Sequence, residues 1–154
     1  MIEVVDSGRR PGHWHIDVNV PAEKAWALLA DFKSITGWWP EGLRRVDFIG
    51  DGIGMIRNVY SDIMEPFCQR LDAINHGNMV MEMTLLNTEQ FGIETYKSSM
   101  NVQALDDQTC RVTFTGMART FEAEQHEALL VDMEAFIDSL LTSIKNKLET
   151  DHPA

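Results

Sequence analysis

The stretch EQHEALLVDMEAFIDSLLTSIKNKLE, residues 124–149, decides the fold, because it carries the clearest helical pattern in the chain. Its large apolar residues step by one, three and four positions, which places them in one broad stripe along a helix of roughly 39 Å. Acidic residues at its beginning, and Lys145 and Lys147 near its end, complement the helix dipole. The apolar stripe consists of Leu129, Met133, Phe136, Ile137, Leu140, Leu141, Ile144 and Leu148.

Ahead of this helix the apolar pattern changes to a period of two, which is typical of half-buried strands. Turn sequences such as Gly50-Asp51-Gly52 and Asp106-Asp107 separate the alternating runs. After the first strand, Pro21 opens one short helix, and residues 35–40 predict a second short helix or a loop. The predicted strands are His13–Val20, Val46–Ile49, Gly54–Tyr60, Phe67–Ile74, Met79–Leu86, Tyr96–Val102 and Cys110–Ala118.

Antiparallel strands in a continuous run, with the helices kept apart from them, predict the α+β class. A helix as long as the last one can bury its stripe only against the concave face of a bent sheet. We therefore expect a curved seven-stranded antiparallel sheet around the C-terminal helix, with a cavity between them as the default ligand site. No linker or repeat divides the chain, so residues 1–154 are expected to form one domain with its core at about 13–149.

Composition excludes several function classes. The chain has 13 Lys and Arg against 24 Asp and Glu, a net charge of −11, which argues against nucleic-acid partners. No signal peptide is apparent, and the longest apolar run, residues 25–30, is too short for membrane insertion. Two cysteines without zinc-type spacing are typical of free thiols in a reducing compartment. We expect a cytoplasmic protein, either a monomer or a homodimer.

Six short motifs occur in order along the chain: VPAEKAW at residues 20–26, DF at 31–32, GWWP at 37–40, GIGMIR at 52–57, QRLDAI at 69–74 and YKSSM at 96–100. Their order and spacing resemble the START/Bet v 1-like (SRPBCC) superfamily, in its bacterial polyketide cyclase/dehydrase branch. The resemblance covers about residues 13–148 and implies the helix-grip fold. Relatives include lipid carriers, hormone receptors, aromatase/cyclases and dehydratases, so it implies a fold more than a reaction.

Arg57 is the most informative residue, since it shares a strand face with Met55 and Val59. The resemblance implies that it points into the cavity, where some lyase-type relatives pair it with a Glu from a Glu-Arg-Leu motif. Here that position is Gln69, which supplies neither a charge nor a general base. Either the ligand brings the anion, or an acid neutralises Arg57, or the guanidinium reaches the rim and is solvated. The candidate acids are Glu82, Glu94 and Asp132.

Other candidate ligand contacts share the inward face. The Tyr96 hydroxyl could polarise a carbonyl or relay a proton, or it could simply pack in the core. Trp38 and Trp39 are adjacent, so we expect one indole to gate the pocket mouth and the other to cover the core edge or stay exposed. The remaining candidates, which serve equally well as core residues, are Met81, Met83, Met100, Phe114, Met133 and Phe136.

Metal and nucleophile chemistry has little support in the sequence. His13 and His15 form a His-x-His pair, but they alternate to the face opposite Trp14 and Ile16, so we expect them in solvent. No phosphate loop, nucleophile elbow or dinucleotide motif is apparent. No metal or cofactor is therefore expected.

Three functions stay open at this stage. The first is a cofactor-independent cyclase or dehydratase of lyase type, which binds a polyketide-like apolar molecule and uses Arg57 and Tyr96 for catalysis. The second is a non-enzymatic carrier or sensor of a lipid or isoprenoid. The third is a protein-interaction module whose cavity has collapsed.

Overall fold

The computed structural model of the chain describes residues 9–122 and 124–151. It contains seven strands: β1 (Arg9–Val18), β2 (Leu43–Ile49), β3 (Ile56–Ser61), β4 (Phe67–Asn75), β5 (Val80–Leu85), β6 (Ile93–Ala104) and β7 (Cys110–Thr120). The helices are α1 (Ala22–Ala30), α2 (Ile35–Trp38) and α3 (Glu124–Asp151), with short 3₁₀ turns at Phe32–Ser34 and Thr88–Phe91.

All seven strands form one antiparallel sheet in the order β1-β7-β6-β5-β4-β3-β2. The two short helices follow β1 along the chain, and the long helix α3 closes it. This arrangement confirms the predicted α+β class and the helix-grip architecture. None of the helices within the described ranges is long and apolar enough to cross a membrane.

The strand boundaries differ from the predicted ones where the backbone leaves extended conformation. Gly54 has φ +93° and Met79 has φ +53°, so both belong to turns, and β3 and β5 begin later than predicted. Strand β1 begins at Arg9 instead of His13, because four more residues pair with β7. It ends at Val18, before Pro21, instead of continuing to Val20.

The two halves of α3 are buried to different degrees. Five residues from Ile137 onward are buried, whereas Leu129, Met133 and Phe136, which come before it, are only partly buried. The C-terminal half is also tied down by hydrogen bonds, from Ser143 Oγ to the Trp38 carbonyl (2.7 Å) and from Lys145 Nζ to the Asp17 carbonyl (2.9 Å). The N-terminal half of α3 is therefore free to form the wall of a cavity. The five buried residues are Ile137, Leu140, Leu141, Ile144 and Leu148.

Candidate functional site

A cavity of about 230 Å³ lies between the concave face of the sheet, α2 and the helix α3. This volume is somewhat below the ~300–1,000 Å³ of typical ligand sites, so it suits a small ligand. The wall is mainly apolar. The lining residues are Ile35, Trp38, Trp39, Arg57, Met64, Phe67, Gln69, Met83, Leu85, Phe91, Ile93, Tyr96, Met100, Phe114, Leu129, Asp132, Met133, Phe136, Ile137 and Leu140.

The open side of the cavity can be read from the exposure of its lining. Residues from β3, β4, β5 and β6 in the wall are mostly buried, whereas Met64, Phe91 and Met133 are partly exposed and Asp132 is exposed. These four residues belong to the β3–β4 connection, the 3₁₀ turn before β6 and the N-terminal half of α3. The entrance therefore lies where these three segments meet, and Asp132 stands at it.

Arg57 on β3 supplies the only positive charge among the lining residues, and its side chain is buried with 4% of its surface exposed. Its Nε and Nη2 donate to Gln69 Oε1 at 2.9 and 2.6 Å, and its Nη1 donates to the Phe32 carbonyl at 2.9 Å. The guanidinium carbon also lies 3.8 Å from the centroid of the Phe32 ring. The guanidinium is thus held on three sides by neutral groups.

No carboxylate contacts Arg57 among the described residues, so none of them neutralises its positive charge. Glu94 instead pairs with Arg119 at 3.0 Å, and Glu82 is exposed on the other face of the sheet. Burial lowers the pKa of the Arg57 guanidinium to about 9, which still leaves it protonated near neutral pH. The alternative in which Arg57 reaches a solvated rim is wrong, because its alternation with Met55 and Val59 carries it inward.

Tyr96 on β6 lies against the cavity with its hydroxyl seated over Gly116 of β7. A Cβ atom at Gly116 would lie only 2.1 Å from Tyr96 Oη, so the absence of a side chain there makes room for the phenol. The Tyr96 hydroxyl is buried and has no hydrogen-bond partner in the described part of the chain. Burial raises the pKa of Tyr96 above its ordinary value near 10, so the phenol is neutral at physiological pH.

The two adjacent tryptophans both line the cavity, which corrects the expectation that only one of them could point inward. Trp38 is the last residue of α2, and Trp39 is extended (φ −59°, ψ 138°), so the simple strand or helix spacing does not apply across this step. Trp38 Nε1 donates to Ser34 Oγ at 2.9 Å. The Trp39 ring packs near Phe136 and Phe67, with centroids 5.6 and 6.4 Å away.

The structure brings ten of the eleven expected ligand-contact residues to the cavity and leaves one away from it. Met81 on β5 is buried in the core but is not part of the lining, whereas Met83, two residues later, is. The ten residues in the lining are Trp38, Trp39, Arg57, Gln69, Met83, Tyr96, Met100, Phe114, Met133 and Phe136.

Several residues of the site were not anticipated from the sequence. Met64 and Phe91 lie in connections that have no periodicity, and Phe32 holds Arg57 through its backbone carbonyl, which no side-chain pattern encodes. His13 and His15 are exposed on the convex face, and His13 Nδ1 lies 3.3 Å from Thr115 Oγ1. Within residues 9–122 and 124–151, no group of three or more His, Cys, Asp or Glu side chains is placed to hold a metal ion.

Comparison with known families gives one match. The model of the family described as "Polyketide cyclase / dehydrase and lipid transport" matches residues 1–149. No curated protein sequence matches the chain.

Solved structures of the same fold are similar over nearly the whole chain. Norcoclaurine synthase from Thalictrum flavum, in complex with dopamine and hydroxybenzaldehyde, superposes with a TM-score of 0.77 at 12% identity, covering 95% of this chain and 90% of that one. The Zhui aromatase/cyclase from Streptomyces sp. R1128 gives a TM-score of 0.78 at 18% identity, covering 92% and 94%. XoxI from Bacillus cereus gives 0.74 at 17% identity, covering 93% and 99%. At these identities the likeness shows the fold alone.

Proposed function

The chain belongs to the polyketide cyclase/dehydrase and lipid transport family, and on this basis we propose that it binds an apolar small molecule whose anionic or carbonyl group faces Arg57. The observation that carries this proposal is a buried guanidinium with no carboxylate partner, in the wall of a mainly apolar cavity. A buried charge is costly unless it is paired. A ligand that brings a carboxylate, a phenolate or an enolate would supply the missing negative charge.

The hydrogen bonds of Arg57 support a ligand-facing role. A guanidinium has five N–H donors, and Gln69 and Phe32 accept three hydrogen bonds from Nε, Nη1 and Nη2. A fourth, weaker contact joins Nη2 to Met83 Sδ at 3.9 Å. One N–H of Nη1 therefore remains for a ligand, and the group is held rigidly enough to orient it.

The cavity volume argues against the interaction-module alternative, because a module of that kind would have a collapsed interior. It does not separate a carrier from an enzyme. In favour of catalysis, the wall of the same cavity holds Arg57, which could stabilise a developing enolate, and Tyr96, whose hydroxyl could carry a proton. In favour of a carrier, Gln69 cannot act as a base, and the Tyr96 phenol is held neutral.

Binding can be tested by calorimetry with 2-naphthoate and its uncharged counterpart 2-naphthamide. We expect the wild type to bind the carboxylate more tightly, and Arg57→Met to lose at least tenfold of that preference. Arg70→Met is the matched control, because Arg70 lies on the next strand but pairs with Asp72 at 2.7 Å outside the cavity. Equal loss in both variants, or no binding of either compound, would refute the proposal.

Catalysis needs a separate measurement, because a carrier and an enzyme would both bind the ligand but only an enzyme would accelerate a reaction. The methyl protons of 2-acetylnaphthalene exchange with D₂O through an enolate, and NMR follows that exchange directly. If Arg57 stabilises an enolate, the wild type accelerates the exchange and Arg57→Met does not. Binding of the compound without any acceleration would favour the carrier over the cyclase or dehydratase.

A further inference from the structure

The side-chain amide of Gln69 has a fixed orientation in the cavity wall. Gln69 on β4 lies directly opposite Arg57 on β3, and Arg57 Nε and Nη2 donate to Gln69 Oε1 at 2.9 and 2.6 Å. A guanidinium carries donors and no acceptor, so the amide atom that faces it is the oxygen. The –NH₂ group of Gln69 is therefore the end that Arg57 does not use.

The amide nitrogen of Gln69 is unpartnered but accessible. Gln69 is buried, with 4% of its surface exposed, and its Nε2 donates to no acceptor among the described residues. In that part of the chain, the buried side-chain atoms that are both unpartnered and fully enclosed are Trp39 Nε1, Ser61 Oγ and Tyr96 Oη. Gln69 Nε2 is not one of them, so part of its surface is open. Because Gln69 lines the cavity, that surface faces the cavity.

A carboxylate at residue 69 would present the opposite kind of edge. Glu would accept hydrogen bonds from Arg57 with one oxygen and offer the cavity a second acceptor, whereas Gln offers two N–H donors. The second N–H of Arg57 Nη1 is a further donor beside them, since its first N–H is taken by the Phe32 carbonyl. The side chains of Arg57 and Gln69 thus offer the cavity donors and no free charge of negative sign.

We propose that Gln69 Nε2 donates a hydrogen bond to an oxygen of the ligand, next to the oxygen that faces Arg57. This inference rests on the proposed function and narrows it. The polar end of the ligand presents two acceptor oxygens, as a carboxylate or the enolate of a 1,3-dicarbonyl compound does, and it carries no N–H or O–H donor there. A phenolate has one oxygen and would leave one of the two donor groups unpaired, which is costly in a buried site.

The test compares two uncharged compounds, 2-naphthamide and methyl 2-naphthoate, which share a carbonyl on the same ring but carry an –NH₂ donor or a methoxy oxygen beside it. We expect the wild type to prefer the ester. Gln69→Glu should move the ratio of the two affinities about tenfold toward the amide, because Glu replaces the donors by an acceptor. Neither compound is charged, so the ratio responds to hydrogen bonding more than to the added charge. Gln103→Glu is the matched control, since Gln103 on β6 is exposed and does not line the cavity.

NMR on the wild type gives a readout that does not depend on the folding of a variant. The side-chain –NH₂ group of Gln69 gives a pair of signals, which Gln69→Glu identifies by removing them. We expect 2-naphthoate to move these signals downfield. Its counterpart 2-ethylnaphthalene, which has the same rings but no acceptor, should not produce that downfield shift.

The outcomes separate this inference from the proposed function. If 2-naphthoate binds but leaves the Gln69 signals in place, or if Gln69→Glu and Gln103→Glu change the affinity ratio equally, the inference is wrong while the proposed function stands. If 2-naphthoate, 2-naphthamide and methyl 2-naphthoate all fail to bind the wild type, the proposed function fails together with it.

Discussion

Replacing Gly116 with Ala should reshape the cavity by moving Tyr96. The added Cβ would lie 2.1 Å from Tyr96 Oη and 2.8 Å from its Cζ, whereas ordinary van der Waals contact begins at 3.4 Å. The hydroxyl must therefore move by at least 3.4 − 2.1 = 1.3 Å. The backbone itself is no obstacle, because Gly116 is not among the positive-φ glycines. Because the sheet lies beneath the ring and the cavity lies beside it, we expect the ring to move toward the cavity.

The magnitude follows from two opposing terms. Overpacking a core costs about 1–3 kcal/mol. Ala loses less conformational entropy than Gly on folding, which offsets about 0.4–1 kcal/mol. Since the cavity offers Tyr96 space, we expect a net destabilisation of about 1 kcal/mol. Binding should suffer more, because the displaced ring enters a cavity of only about 230 Å³. We expect 2-naphthoate to bind at least tenfold more weakly.

Gly12→Ala provides a matched control on the adjacent strand. Gly12 pairs directly with Gly116, and a Cβ there would lie 2.3 Å from Trp14 Cη2. Trp14 is only partly buried and does not line the cavity, so this variant should lose stability but keep its affinity for 2-naphthoate. Urea unfolding and calorimetry measure the two quantities. Equal affinity loss in both variants, or unchanged affinity in Gly116→Ala, would refute the reasoning.

Three further changes test single groups. Gln69→Glu gives Arg57 a carboxylate, so the free energy of unfolding in urea should rise by about 1–2 kcal/mol while 2-naphthoate binding weakens at least tenfold; unchanged affinity would contradict this. Burial raises the pKa of Tyr96, so the folded phenol stays protonated when the unfolded one ionises. Wild-type stability should therefore fall above pH 10 by up to about 1.4 kcal/mol per pH unit relative to Tyr96→Phe, and parallel pH profiles would contradict that. Cys110 is fully buried and burial raises its pKa to about 11, so a disulfide reagent should label only Cys68 in the native protein, and labelling of a native Cys68→Ser variant would count against it.

Most of the fold follows from periodicity. The stripe of α3 and the period-two runs identify the long helix and all seven strands, because each pattern has to match a buried face. The ends of the strands were harder to predict from the sequence, because they depend on the conformation of the turns. Met79, for example, has a side chain typical of a strand but adopts a positive φ, because the turn that contains Gly77 and Asn78 extends one residue further than their composition indicates.

The sequence predicted the site residues that lie on the inward face of the sheet. Alternation places Arg57, Tyr96 and Met83 correctly, but it cannot separate a cavity wall from a packed core, which is why Met81 was grouped with Met83. That distinction depends on where the partly buried end of α3 stands away from the sheet. The position of Trp39 depends on the backbone step after α2, which side-chain spacing does not describe.

The unpaired charge of Arg57 connects stability to function. A carboxylate at residue 69 would neutralise Arg57 and remove the cost of a buried unpaired charge, yet the chain carries Gln there and keeps its positive charge available. Natural sequences depart from locally optimal packing mainly at functional sites. Arg57 is such a departure in the wall of the cavity, so an anionic ligand that pairs with it should stabilise the folded chain as it binds.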